Sequence, residues 1–92
     1  MTFEWDEAKN LSNQKKHGLS FEIAQEAFRD PLALLQPDPG FHDEDRWRII
    51  GKVKNATIAL VVFVVRGKDA DVYRLISARR VTSHERKKYE DG

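Results

Sequence analysis

Three short segments of the sequence hold the residue types that chemistry on a phosphate ester would use. The first is Lys16-His17-Gly18, where a basic pair sits at the predicted end of a helix. An imidazole is the side chain that gains and loses a proton most readily near neutral pH. The alternative role for this pair is structural, since lysine and histidine also satisfy the negative end of a helix dipole. The second segment is Arg79-Arg80 at the predicted end of a strand. Successive strand residues face opposite ways, so one guanidinium reaches the open face of a sheet and the other its back. A guanidinium on an open face grips phosphate bidentately, whereas one beside an acid forms an ion pair instead. The third is Thr82-Ser83-His84-Glu85, in which Glu85 is either a proton acceptor or half of a capping box with Thr82. Arg46, Arg48, Lys52 and Arg74 add cations to predicted strands, with Arg48 and Lys52 on one face. Trp5, Trp47, Tyr73 and Tyr89 offer rings for stacking on unpaired bases, or for a core.

Other chemistries are excluded by residue type and spacing. There is no cysteine, and His17, His42 and His84 lack zinc-type spacing, so no metal site is expected. No phosphate-cradling glycine loop, dinucleotide fingerprint or conspicuous carboxylate pair occurs, and no cofactor is expected. No apolar run is long enough for a membrane span, and the first residues do not read as a secretory signal. These features fit a reducing, cytoplasmic setting without a membrane partner.

The 92 residues are one domain's length, 1–92, and folding buries roughly 65% of the extended surface of such a chain. The formal net charge of +1 conceals a division: residues 1–45 carry ten acids and four bases, and residues 46–92 carry twelve bases and five acids. A basic half suits a polyanion, and its acidic counterpart suits a basic partner or internal pairing.

The elements that position these residues follow from periodicity. Thr2–Trp5 reads as an edge strand or an aromatic plug. Asp6 caps a thin-faced surface helix carrying Ala8 and Leu11, which ends at Gly18. Ser20 opens a second helix with Phe21, Ala24, Ala27 and Phe28 on one face, which runs to Pro31. Leu32–Leu35 is a short strand, and a turn-rich loop extends from Gln36 through Asp45. From Arg46 the period becomes two: Trp47, Ile49, Gly51 and Val53 share one face, and Arg46, Arg48, Ile50 and Lys52 share the other. Residues 58–65 are apolar on both faces and form a central strand. Residues 71–79 alternate as a third long strand, and a short basic helix closes the chain from Ser83. The sum is an α+β fold: two N-terminal helices, a three- to four-stranded antiparallel sheet and a short C-terminal helix.

Three spaced patterns then form a resemblance. They are Phe3-Glu4-Trp5-Asp6 with Lys9-Asn10, Asn13, Lys16-His17-Gly18, Phe21 and Ala24; Arg46 with Ile50-Gly51; and Ile76-Ser77-Ala78-Arg79-Arg80 with His84-Glu85-Arg86 and Tyr89-Glu90. Together they resemble the BrnT family of toxins of bacterial type II toxin–antitoxin modules, with Asp45 where the pattern has glutamate. The resemblance implies a RelE-like fold and a ribonuclease that blocks translation. It implies a BrnA-type ribbon–helix–helix antitoxin as partner, with operator DNA bound only through the toxin–antitoxin complex. Metal-free RNA cleavage needs a base for the 2′-hydroxyl proton, an acid for the leaving 5′-oxygen and cations around the phosphorane. On this reading His17 does acid or base work and Arg79 binds the scissile phosphate, helped by Arg80 and Lys16. Glu85 is a reserve proton acceptor. Arg48 and Lys52 hold neighbouring RNA, and Trp47 and Tyr89 stack on bases. The alternative is a non-catalytic RNA- or protein-binding adaptor, or a degenerate toxin, that uses the same basic face.

Overall fold

A computed structural model of the chain describes residues 1–40 and 44–92. His42 and part of the loop expected through Asp45 therefore lie outside the described residues. The Asp6 carboxylate accepts from the N–H groups of Ala8 and Lys9 and starts α1 (Glu7–His17), and Gly18 ends it at φ 69°. Both ends match the expectation. The packed side of α1 does not: Leu11 is 60% exposed, and the buried residues are Asn10 and Asn13. A helix with so little apolar surface is held by hydrogen bonds from its amides rather than by a hydrophobic stripe.

Ser20 caps α2 (Phe21–Ala24), its hydroxyl accepting from the Ile23 N–H. The second helix is shorter than expected, because the chain tightens into a 3-10 turn over Gln25–Arg29 before Asp30 turns extended. A three-residue repeat explains the change: at three residues per turn Phe21, Ala24 and Ala27 align on one line, and all three are fully buried. Gly51 permits this packing, since a Cβ there would lie 2.7 Å from the Ala27 carbonyl oxygen.

The sheet contains β1 (Thr2–Glu4), β2 (Leu34–Pro37), β3 (Arg46–Lys52), β4 (Ile58–Arg66) and β5 (Val72–Arg80) in the order β1-β5-β4-β3-β2. It is five-stranded and mixed, which corrects the expected three- to four-stranded antiparallel sheet. The meander β2-β3-β4-β5 is antiparallel, and β1 lies parallel to β5, with Thr2 opposite Val72 and Glu4 opposite Arg74. A parallel partner comes from far along the chain, so no local turn signal announces it.

One irregularity sets the site. The β4–β5 register shifts between Val62 and Phe63: Phe63 faces Leu75, and Val62 faces Ser77, leaving Ile76 as the extra residue of a bulge. Strict alternation would put Ala78 beside Arg74. The bulge instead places Ala78 on the side of Leu75, and Ser77 and Arg79 on the side of Arg74.

Two apolar clusters fill the two sides. Under α1 and α2 lie Phe21, Ala24, Val61, Phe63, Leu75 and their neighbours. Phe3 packs on Phe28 (ring centroids 4.9 Å apart) and Trp5 on Phe21 (6.0 Å). On the other side α3 (Ser83–Asp91) brings Tyr89 onto Ile50, Ile58 and Leu60. The α3 start has the full capping box of Thr82 and Glu85.

Candidate functional site

α3 covers only one end of its side of the sheet. Beyond it the register builds two cross-strand rows. Arg74, Val64 and Arg46 form one, and Ser77, Val62, Arg48 and Gln36 form the next. Arg46 and Arg48 are two residues apart on one strand, about 6.6–6.8 Å along it. Arg74 Nη1 lies 3.4 Å from Glu4, Arg46 Nη2 lies 2.6 Å from Glu44, and Arg48 Nε donates to the Gln36 amide oxygen at 3.1 Å. Arg46 Nε is buried and has no acceptor among the described residues. This face is cationic over an apolar valine floor.

A third row continues with Arg79 opposite Leu60. Arg79 is tied down: its two Nη atoms donate to the two oxygens of Glu85 at 2.8 and 2.9 Å. That fork, with burial opposing it and the Thr82 N–H assisting, holds the Glu85 carboxyl at about 2. The same pairing pushes Arg79 above its ordinary value. So acidic a carboxylate is a weak proton acceptor and a firm anchor for Arg79.

His17 and Lys16 reach this region from the edge of β5. Beyond Arg74 that strand has no strand partner on its outer side, and α1 lies along it. The Asn13 side chain replaces the missing strand. Its Oδ1 accepts from the Ala78 N–H at 3.1 Å, and its Nδ2 donates to the Ala78 and Leu19 carbonyls, both at 2.8 Å. Asn10 makes the matching clamp one turn earlier, accepting from the Phe21 N–H and donating to Glu7 and Glu22. The clamps leave a shallow groove of about 200 Å³ lined by Lys9, Ser12, Asn13, Lys16, His17, Ile76 and Ser77. Arg79 does not line it but lies two residues along β5 from Ser77.

With this geometry in view, comparison with known proteins is decisive. Residues 5–85 match the family model for the ribonuclease toxin BrnT of type II toxin–antitoxin systems. The chain belongs to the BrnT family. It is similar to the 1.1 Å crystal structure of the Brucella abortus ribonuclease toxin BrnT, with 31% identity, a TM-score of 0.71, and coverage of 90% of this chain and 99% of that one. No curated protein matches significantly. As a member of this ribonuclease toxin family, the chain has RNA as its substrate class and an antitoxin as its partner class. No helix among the described residues is long and apolar enough to cross a membrane.

The remaining expected site residues of this BrnT-family chain lie elsewhere. Arg80, exposed, faces the opposite side from Arg79, opposite Ala59. Trp47 is opposite Phe63 on the helix side, away from Arg48. Lys52 shares the Arg48 face but lies at the far end, where its backbone N–H donates to Asp30. Tyr89 is only 9% exposed, and its hydroxyl donates to the same Asp30 carboxylate. That hydrogen bond, with burial, pushes the phenol up to about 12. Its ring belongs to the α3 cluster and is not open to a base. Sequence reasoning missed Asn13 and Ser77 as parts of the site. The legible signal was the pair of amides three residues apart in a helix that lacked an apolar stripe.

Proposed function

We propose that this chain is a metal-independent endoribonuclease that arrests translation by cleaving RNA, on a RelE-like plan. The RNA backbone crosses the arginine rows, and the reacting linkage sits at the β5 edge. Ser77 is the observation that carries this reading: it ends the Arg48 row and also lines the groove of Lys16 and His17. A strand crossing the rows toward that edge meets cations first and an imidazole last.

The chemistry follows from that order. The 2′-hydroxyl attacks the adjacent phosphorus, its proton leaves, and the 5′-oxygen departs with a proton. His17 carries one of these protons, and the other exchanges with water. Proton transfer of this kind contributes roughly 10²–10⁴-fold. Lys16 and Arg79 balance the charge gathering on the phosphorane, and Glu85 holds the Arg79 fork in orientation, while Arg80, on the other side of the sheet, takes no part. Arg48 and Arg74 hold flanking phosphates. The need for a 2′-hydroxyl selects RNA over DNA. The partner is a BrnA-type ribbon–helix–helix antitoxin, operator DNA is bound only through their complex, and the site of action is the cytoplasm.

The test is digestion of naked RNA in excess chelator by wild type, His17→Ala and Arg79→Ala, with folding followed by circular dichroism. Wild-type cleavage and a loss of about 10²-fold or more in each variant are expected. Undiminished activity in both folded variants removes the residue assignment. Cleavage that chelator abolishes removes the metal-independent mechanism.

A further inference from the structure

The helix side of the sheet is not fully covered. α1 and α2 lie over its β5 end, and past Phe28 an apolar groove of about 500 Å³ remains open. Trp47, Phe63 and Tyr73 form its floor, and Phe28 is its wall. The Phe28 ring stacks on Tyr73 (centroids 5.8 Å apart) and meets Phe63 edge-on at 4.9 Å, so the floor and wall are one interlocked aromatic unit. Met1 and Leu35 form the rim and are 71% and 60% exposed. An open groove walled by interlocked aromatic rings is a shape that takes the apolar side chains of a partner.

Charge decides what occupies it. The only ionisable carboxylate lining the groove is the exposed Asp45, and no lysine, arginine or histidine lines it among the described residues. A polyanion is disfavoured there, and the arginine rows lie on the other side of the sheet. A second copy is also disfavoured. In a symmetric pair the groove is filled only by the partner's copy of this same concave patch. The complement is an amphipathic helix with apolar side chains at i, i+3 or i+4 and i+7 and a lysine or arginine beside Asp45.

We propose that this groove is the hold of the antitoxin, through such a basic amphipathic helix. Identifying the partner as an antitoxin rests on the toxin reading above; the groove and its chemistry do not. Grip and catalysis then use opposite sides of one sheet, so loss of the grip leaves a nuclease that its antitoxin no longer restrains.

The experiment is calorimetric titration of the purified chain with the purified antitoxin of the same operon. Leu35→Glu and Asp45→Lys are the test variants, and Leu32→Glu, at a more exposed leucine outside the groove, is the control. Each test variant is expected to weaken binding about tenfold or more, while the control stays within about twofold and RNA cleavage is unchanged in all three. Because both substitutions are at exposed positions, circular dichroism is expected to show the native fold. Wild-type affinity in both test variants overturns the proposal. So does a dimer of the free chain that Leu35→Glu dissociates in sedimentation, which assigns the groove to a second copy. Absence of binding by wild type overturns it together with the partner assignment. Binding that follows the expected pattern in a chain that cleaves no RNA leaves the groove standing and removes the nuclease mechanism.

Discussion

The two sides of the sheet solve the same problem with different chemistry. On the α1 side, the buried polar groups of the helix are neutral amides: Asn13 is satisfied by backbone partners, and Asn10 by the Phe21 N–H and the carboxylates of Glu7 and Glu22. On the α3 side the polar groups are charged and half in water, as in the Arg79–Glu85 and Arg74–Glu4 pairs. Neutral amides can be taken out of water at the cost of satisfying their hydrogen bonds, and they fix a helix against a strand edge. Charges resist burial, so they remain where a polyanion can reach them. The side that sets positions is thus built differently from the side proposed to meet the substrate.

The largest break in this comparison comes from Asn13→Ala. It strips Ala78 of a donor and an acceptor contact and Leu19 of its donor in a buried place. A loss of about 2–3 kcal/mol in denaturant unfolding is expected. A loss below about 0.5 kcal/mol means that water replaces the amide and that α1 is not clamped.

A smaller effect, dependent on pH, comes from Glu85. Its folded-state carboxyl lies near 2, below an ordinary value of 4.5. The pair's contribution is therefore present above about pH 4.5 and is lost as pH falls toward 2. Solvent screening limits the contribution to about 1–2 kcal/mol. Glu85→Gln should cost that much at pH 7 and little at pH 2, when unfolding is measured at both. Equal costs at the two pH values show that Glu85 acts through its capping box alone.

The smallest stability effect belongs to Arg48→Ala, within about 0.5 kcal/mol. Its signature is electrostatic: RNA affinity falls, and the slope of affinity against salt concentration drops by about one. An unchanged slope means that Arg48 touches no phosphate.

Much of this fold was readable in advance because the signals are local. Asp6 and Gly18 bound α1, Thr82 and Glu85 build a capping box, and the period of two from Arg46 assigns Trp47 and Arg48 to opposite sides. The three spaced patterns also led to the family. Other features needed partners distant in sequence. β1 finds β5 seventy residues away, and Leu11 is exposed because Asn13, not an apolar stripe, meets β5. The future of Tyr89 as a core residue depends on Asp30, fifty-nine residues earlier.

The sequence by itself determined both ends of α1, the capped start of α3, the alternation of β3 and the concentration of basic residues in the second half, since each depends on near neighbours. The tertiary structure decided which of those bases share a surface. One inserted residue at Ile76 turns Ser77 and Arg79 onto the side of Arg74 and Arg48, and one amide brings His17 to the same edge. Neither consequence exists until two strands fix their register, because a side chain's direction in a sheet is set by the strand beside it.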